Sequence, residues 1–170
     1  MAIYQCSIET HQRILHYVHD TLIQQKRIPS IKESCAQLGI TRTTFYLHFA
    51  SMEEAKEALD RQCWEELLEM AAVYQKDPLQ AKLLPFSFFF FEWLKKDLAY
   101  YQNITLCENH IYIEGMYHYL QDHLKECDSL HIAFIALGVL GFLEKWVEAN
   151  TQIGAYEAAK QLDELLLRLK

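Results

Sequence analysis

The sequence predicts an all-α protein of two domains, a small one over residues 1–51 and a larger one over residues 52–170. Three observations predict this fold class. Hydrophobic residues make up 51% of the 170 positions, which is enough for a sizeable core. Only five Gly and three Pro occur, so that little interrupts long helices. Apolar residues also recur at spacings of three and four, the period of an amphipathic helix.

The first predicted helix runs from about Ser7 to Gln25, and the turn from Arg27 to Pro29 ends it. We expect this helix to brace the two short helices that follow. Its apolar stripe consists of Ile8, Ile14, Leu15, Val18 and Leu22.

Two short helices around a tight turn come next. Ser30 can accept a hydrogen bond from the first-turn amides of a helix over Ile31 to Leu38. Gly39 stands just past its end, where a left-handed backbone is easiest for a residue without Cβ. Thr41 caps the following helix, which no Gly or Pro interrupts. This is the layout of a helix-turn-helix unit, which places its second helix in the major groove of DNA.

The third predicted helix, from Arg42 to His48, has two different faces. At about 100° per residue, Phe45 and Phe49 point one way, towards the core. The opposite face carries the side chains expected to meet base edges, where hydroxyl and methyl groups can contact several bases. These side chains are Thr43, Thr44 and Leu47.

Phosphate contacts are predicted for cations, polar side chains and the free amides at helix N-termini. They are assigned to Lys32, Arg42, Tyr46, His48 and the caps at Ser30 and Ser51, and Thr41 completes the predicted DNA-binding set. The alternative is an ordinary helical hairpin whose aromatic residues only fill the core.

This segment resembles the DNA-binding domain of the tetracycline-repressor (TetR/AcrR) family of bacterial transcription regulators. The family pattern is a capped helix, a Gly turn, a Thr-Phe-Tyr-x-His-Phe core and a further capped helix. The match is close over about Ser7 to Ala58 and looser beyond, where helix order and a Gly-x-x-Gly-x-x-x-x-Trp stretch from Gly138 to Trp146 are similar. The matching residues are Ser30, Ile31, Gly39, Ile40, Thr41, Thr44, Phe45, Tyr46, His48, Phe49 and Ser51.

The resemblance implies a cytoplasmic, homodimeric repressor that binds a palindromic operator in double-stranded DNA and responds to a small apolar or aromatic effector. It also implies a fourth helix, from Met52 to about Tyr74, that links the DNA-binding domain to a helical ligand-binding and dimerisation domain. Three positions depart from the pattern. Met52 replaces a Lys that meets a phosphate, Ser34 replaces an aliphatic residue, and Cys35 replaces a small Ala.

The charge distribution is compatible with DNA binding in one part of the chain only. Residues 1–62 carry seven Lys or Arg and seven Asp or Glu, whereas residues 63–170 carry nine against sixteen. The formal net charge of −7 therefore belongs to the larger domain. Within residues 26–50, around the predicted recognition helix, there is one acidic residue, Glu33. The same segment contains four basic residues, Lys26, Arg27, Lys32 and Arg42.

Further helices complete the larger domain. Asp77 and Pro78 are typical of a helix start, and Pro85 interrupts the pattern again. Longer helices are predicted over Phe86 to Tyr101, Glu108 to Glu126, Ser129 to Asn150 and Ala155 to Lys170.

Two stretches of the larger domain are candidates for function. Aromatic residues occur on all sides of the helix after Pro85, so they cannot all face a single core. They either line an effector pocket, or they pack in the core or in a dimer interface. The predicted pocket residues are Phe89, Phe90, Trp93, Tyr101 and Tyr117.

The second stretch contains two helical glycines, each of which costs about 1 kcal/mol relative to Ala. Close approach of another helix offsets this cost, either within one subunit or, as the resemblance implies, at a dimer interface formed by the last two helices. The predicted interface residues are Phe134, Leu137, Gly138, Gly141, Phe142 and Trp146.

Other functional classes find little support. The Walker loop, nucleophile elbow, zincin helix and dinucleotide fingerprint are all missing, so no enzyme activity, catalytic residue or cofactor is predicted. The apolar run from Ile132 to Leu143 is shorter than the ~18 residues of a membrane span, and no signal peptide precedes it. Two alternatives to the repressor remain. They are a helical interaction or ligand-binding module with weak DNA affinity, and a metal-sensing regulator.

No metal site is predicted, because the histidines and cysteines match no strong ligand spacing. The five Cys likewise include no CxxC pair. The residues weighed were Cys107, His110, His123, Cys127 and His131, and, on the first helix, His11, His16 and His19.

Overall fold

The computed structural model describes residues 2–76, 84–149 and 152–168, with side chains from Ser7 onwards. All regular elements in these ranges are helices, which confirms the predicted all-α class. In chain order they are α1 (Ala2–Gln25), α2 (Ile31–Leu38), α3 (Arg42–Tyr46), α4 (Met52–Lys76), α5 (Phe88–Lys96), α6 (Leu98–Tyr101), α7 (His110–His123), α8 (Ser129–Glu148) and α9 (Ala155–Arg168).

The chain divides into two compact units, Met1–Gln62 and Cys63–Lys170. The division falls inside α4, so the first part of this helix belongs to the small unit and the rest to the large unit. The sequence places a boundary earlier, at the start of α4.

Several helix limits differ from the predicted ones. α1 begins before Ser7, and α3 ends at Tyr46 rather than at His48. The predicted helix from Phe86 to Tyr101 is interrupted at Asp97, whose backbone leaves the helical region (φ −143°, ψ 56°) and whose side chain caps α6. The predicted helix start at Asp77 and Pro78 lies outside the described residues.

The small unit has a core in which α1 packs against the short helices. Ile14, Val18 and Phe45 are fully buried in it. The Arg13 guanidinium donates a hydrogen bond to the Leu38 carbonyl at 2.7 Å, which ties α1 to the end of α2. α1 thus braces the two short helices, as the sequence predicts.

The large unit is built around buried aromatic rings. Trp93 packs edge-on against Trp64, with ring centroids 6.4 Å apart, and its indole donates to the Cys63 carbonyl at 3.0 Å. Phe91 contacts Trp146 at 5.0 Å. The loop before α5 is fixed by α9, because the Asp163 carboxylate accepts the backbone amide of Ser87 at 3.0 Å.

α8 is the most apolar helix described. By length and composition alone it could cross a membrane, since it has 20 residues and a mean hydropathy of 1.6 over its 18-residue window. Core helices pass the same test, and 44% of that window is buried inside the protein. Ile132, Val139 and Leu140 are among its core residues. This single helix is therefore weak evidence for a membrane span.

Gly115 on α7 has no room for a Cβ atom. A Cβ at this position would lie less than 3.0 Å from three ring atoms of Trp64, an indole already held by surrounding rings. We expect Gly115→Ala to lower the free energy of unfolding by about 1–3 kcal/mol, the usual cost of overpacking. Denaturant unfolding measures this change.

Gly138→Ala is the matched control, because a Cβ there meets nothing within 4 Å. Both variants should be unfolded at two protein concentrations. If a substitution weakens a contact between two copies of the chain, the measured loss of stability depends on the protein concentration. Equal stability of the Gly115 and Gly138 variants would contradict the predicted clash.

Candidate nucleic-acid interface

The start of α2 is fixed by a capping box. The Ser30 hydroxyl accepts the backbone N–H of Glu33 at 3.2 Å, and the Glu33 carboxylate accepts the backbone N–H of Ser30 at 3.4 Å. This reciprocal pair orients the first turn of the helix. The Ser30 hydroxyl is therefore engaged within the chain.

The turn between α2 and α3 depends on Gly39. Its backbone is left-handed (φ 66°, ψ 32°), a conformation that costs glycine least. The amide of Ile40 returns to the Cys35 carbonyl at 3.1 Å and closes the end of α2. The turn is therefore short, and α3 begins three residues after Gly39.

α3 is short because it tightens at its C-terminal end. The Thr41 hydroxyl caps it by accepting the Thr44 amide at 3.0 Å. After Tyr46, the amide of His48 bonds to the carbonyl of Phe45 at 2.9 Å, three residues back, as in a 3₁₀ turn. Leu47 and His48 thus belong to a closing turn rather than to the helix.

The two faces of this segment differ sharply in exposure. Phe45 is fully buried and Phe49 is 3% exposed. On the outer side, Leu47 is 79% exposed and Tyr46 is 55% exposed, and Arg42 and Thr43 are exposed as well. The buried and exposed faces therefore lie as the sequence predicts.

Thr44 is half-buried, and its hydroxyl lies 2.9 Å from that of Thr41, with which it shares a hydrogen bond. The hydroxyl of Ser51 accepts the Glu54 amide at 3.1 Å and caps α4. Both hydroxyls therefore take part in local hydrogen bonds, and each keeps further hydrogen-bonding capacity.

The accessible cations of this face are Lys32 and Arg42. Both are exposed, and neither forms an ion pair or a side-chain hydrogen bond within the ranges that the structure describes. Arg27, in contrast, pairs with Glu33 at 2.6 Å. Hydrogen bonding from Arg27 lowers the pKa of the Glu33 carboxyl. Lys32 and Arg42 are thus the cations best placed to meet phosphates.

His11 lies at the edge of this face, where no role was predicted for it. Its ring lies 4.5 Å from that of Phe49 and 5.8 Å from that of His48, measured between centroids. Burial, and secondarily the neighbouring His48, lowers the pKa of His11. In the sequence, the only indication that His11 packs against this segment was its position one turn before Leu15, on the buried stripe of α1.

Two of the three departures from the resembled pattern, Ser34 and Met52, contact each other. Ser34 is fully buried and Met52 is 5% exposed. The Ser34 hydroxyl donates to the Ser30 carbonyl at 3.0 Å and lies 3.8 Å from the Met52 sulfur. Residue 52 is therefore part of the core of the small unit and presents no charge at the start of α4.

Four of the five predicted pocket residues are core residues packed against other rings, and one of these four, Phe89, also lines a hollow of about 360 Å³. Phe89 and Phe90 lie 4.2 Å apart between centroids, and Trp93 and Tyr101 lie 4.6 Å apart. All four are at most 4% exposed, and Tyr117 is half-buried. Burial raises the pKa of the Tyr101 hydroxyl.

A groove of about 300 Å³ lies elsewhere in the large unit. It was not predicted, because its lining comes from four separate parts of the chain. Of the predicted pocket residues, none lines it. Its lining residues are Phe86, Leu120, His123, Leu124, Ile135, Asp163, Leu166 and Leu167.

The predicted dimer face of α8 is only partly exposed. Phe134 is 65% exposed and Leu137 is 47% exposed, with Gly138 beside them. Gly141 and Phe142 are half-buried. Trp146 does not share this face, because it is 5% exposed and its indole donates to the Ile153 carbonyl at 2.8 Å.

The histidines and cysteines of the large unit that were weighed as a metal sensor do not come together in the described residues. His123 lies beside Gln75, with 3.0 Å between their nitrogens, and His131 pairs with Asp128 at 2.6 Å. The group of potential ligands that does come together is on α1, at His16, His19 and Asp20.

Comparison of the sequence with protein-family models found no match, and neither did a search of curated proteins. The resemblance to the TetR/AcrR pattern therefore stays a prediction.

Proposed function

We propose that this protein is a DNA-binding transcription regulator that inserts α3 and its closing turn into the major groove. The observation that carries the proposal is the exposure of Leu47 (79%) and Tyr46 (55%) on a segment whose other side is anchored by a fully buried Phe45. Two adjacent exposed side chains on a braced, capped helix favour a contact outside the chain, and a major groove admits one such helix.

The exposed groups divide into two chemical roles. Leu47 offers methyl groups to a thymine methyl, and the Thr43 hydroxyl can donate to or accept from a base edge. Lys32, Arg42 and the Tyr46 hydroxyl are suited to phosphates, which fix the register of the protein on the duplex. Thr44 is less accessible for a base contact than Thr43, because it is half-buried and its hydroxyl is shared with the helix cap.

A homodimer is proposed to bring two copies of α3 to a palindromic operator. The glycines of α8 support this, because no close contact with the residues that the structure describes offsets their cost in a helix. A Cβ on Gly138 meets nothing within 4 Å, and one on Gly141 meets only the Cys107 sulfur at 3.7 Å. Phe134 and Leu137 are exposed on the same helix. Two-fold dimers bind half-sites about one helical turn apart, ~34 Å.

An apolar effector is proposed to act through the large unit, with the groove lined by Leu120, Ile135 and Leu166 as its site. α4 passes from one unit into the other and is the covalent route by which binding can bias the DNA-binding unit. Effector binding biases the DNA-binding unit only if the effector has a higher affinity for one conformation of the protein than for another.

One observation favours the alternative of an interaction module with weak DNA affinity. Met52 is buried where the resembled pattern has a phosphate-binding Lys, so one cation per subunit is missing. The two functions differ in whether binding to duplex DNA is selective.

The test is selection of duplexes from a random library, followed by salt titration of the recovered sequence. We expect a palindromic sequence that binds more tightly than its isolated half-site, with affinity falling linearly on a log scale as salt rises. Tyr46→Ala should remove selective binding while the melting temperature is unchanged. Failure to enrich any sequence at low salt would support the interaction module instead.

A further inference from the structure

Three potential metal ligands come together on one face of α1. His16 and His19 are three residues apart and Asp20 follows, so all three project from the same side of the helix. One ligand atom from each lies within 4.8 Å of the others. The helix is part of the core of the small unit, so its backbone holds the three side chains in a fixed relation.

The separations suit one metal ion. Asp20 lies between the two imidazoles, 3.4 Å from His16 Nε2 through one oxygen and 3.4 Å from His19 Nδ1 through the other. Each contact uses a different oxygen of the carboxylate, so both imidazoles already lie against the Asp20 group. The two imidazole rings are nearly parallel, with 13° between their planes and 6.2 Å between their centroids. Because a metal ion lies in the plane of each imidazole that binds it, the exposed His16 ring has to rotate about its side-chain bonds before all three groups bind one ion.

The surroundings are compatible with a cation. Arg13 lines the same surface hollow as His16 and Asp20, and its guanidinium is held by the Leu38 carbonyl at 2.7 Å rather than by the Asp20 carboxylate. The side chains of His16 and Asp20 are 76% and 44% exposed, so an ion here keeps positions for water. Two imidazoles and one carboxylate are a donor set that suits Zn²⁺, Ni²⁺ and Cu²⁺ rather than Ca²⁺ or Mg²⁺.

We propose that His16, His19 and Asp20 bind a divalent transition-metal ion on the surface of α1, with water as the remaining ligands. The two imidazoles coordinate as neutral ligands and Asp20 supplies the single negative charge. The site lies on α1, which is tied to the end of α2 by the hydrogen bond from Arg13 to the Leu38 carbonyl.

Calorimetric titration of the full chain with Ni²⁺ tests the proposal. We expect one ion per chain and a higher melting temperature with the ion, because binding to the folded state stabilises it. His16→Ala should weaken binding by at least about tenfold, since even loss of a group behind a metal ligand costs this much. The exposed position of His16 makes loss of the fold an unexpected result, and Asp20→Asn serves as a second variant.

His131→Ala is the matched control, because Asp128 and His131 form an exposed pair of only two ligands. The control should bind as the unmodified protein does. The proposal is overturned if no ion binds, if His16→Ala and Asp20→Asn bind as tightly as the unmodified protein, or if His131→Ala loses the ion equally.

Discussion

Replacing both Lys32 and Arg42 by Gln is expected to weaken operator binding and to flatten its dependence on salt. Each phosphate contact releases counterions, so each one lost lowers the slope of log affinity against log salt by about 0.9. Two lost contacts per subunit should lower the slope by about 1.8 per subunit. Fluorescence anisotropy with the selected duplex at several salt concentrations measures both quantities.

Arg61→Gln is the matched control for this experiment. Arg61 is also an exposed cation of the small unit, but it lies on α4 and contacts Glu57 at 3.4 Å. It should leave the slope unchanged. If all three substitutions changed the slope alike, binding would reflect overall charge and not the face formed by α2 and α3.

Phe45→Ala is expected to have the largest effect on stability. The ring is fully buried and contacts Phe49 at 6.1 Å between centroids, in the small core that supports α3. Truncation of a buried Phe costs about 3–5 kcal/mol, through lost burial and the cavity that remains. Denaturant unfolding should show this loss, and DNA binding should disappear with it.

Leu47→Ala, on the same segment, should give the opposite combination. Its side chain is 79% exposed, so the free energy of unfolding should change by less than about 0.5 kcal/mol. Selective DNA binding should nevertheless fall, because a contact to a base edge is lost. A large loss of stability in Leu47→Ala would mean that this side chain serves the core and not a ligand.

The small unit could be predicted almost completely because its signals are local. A cap at Ser30, a left-handed Gly39 and a second cap at Thr41 each act on the adjacent turn, so the limits of α2 follow from the sequence alone. The early end of α3 could not be predicted in this way, because no breaker follows Tyr46. The sharing of the Thr41 and Thr44 hydroxyls depends on side-chain rotamers, which composition and spacing do not determine.

The large unit was less predictable because its packing is between distant residues. Aromatic residues around α5 indicate burial on several sides, but not whether the neighbours are other rings or a cavity. Trp93 and Tyr101 prove to be packed together. The groove near Ile135 required α7, α8 and α9 to be assembled first. The cost of Gly115 likewise became visible only with Trp64 against it.

The contact between Ser34 and Met52 couples two positions that are 18 residues apart in sequence. A thioether and a small hydroxyl fill this space together. A lysine at residue 52 would have to turn its ammonium group outward and leave a gap beside Ser34. Engineering a stronger binder by adding a cation at this point therefore requires a compensating change at residue 34, and the pair should be treated as one unit of design.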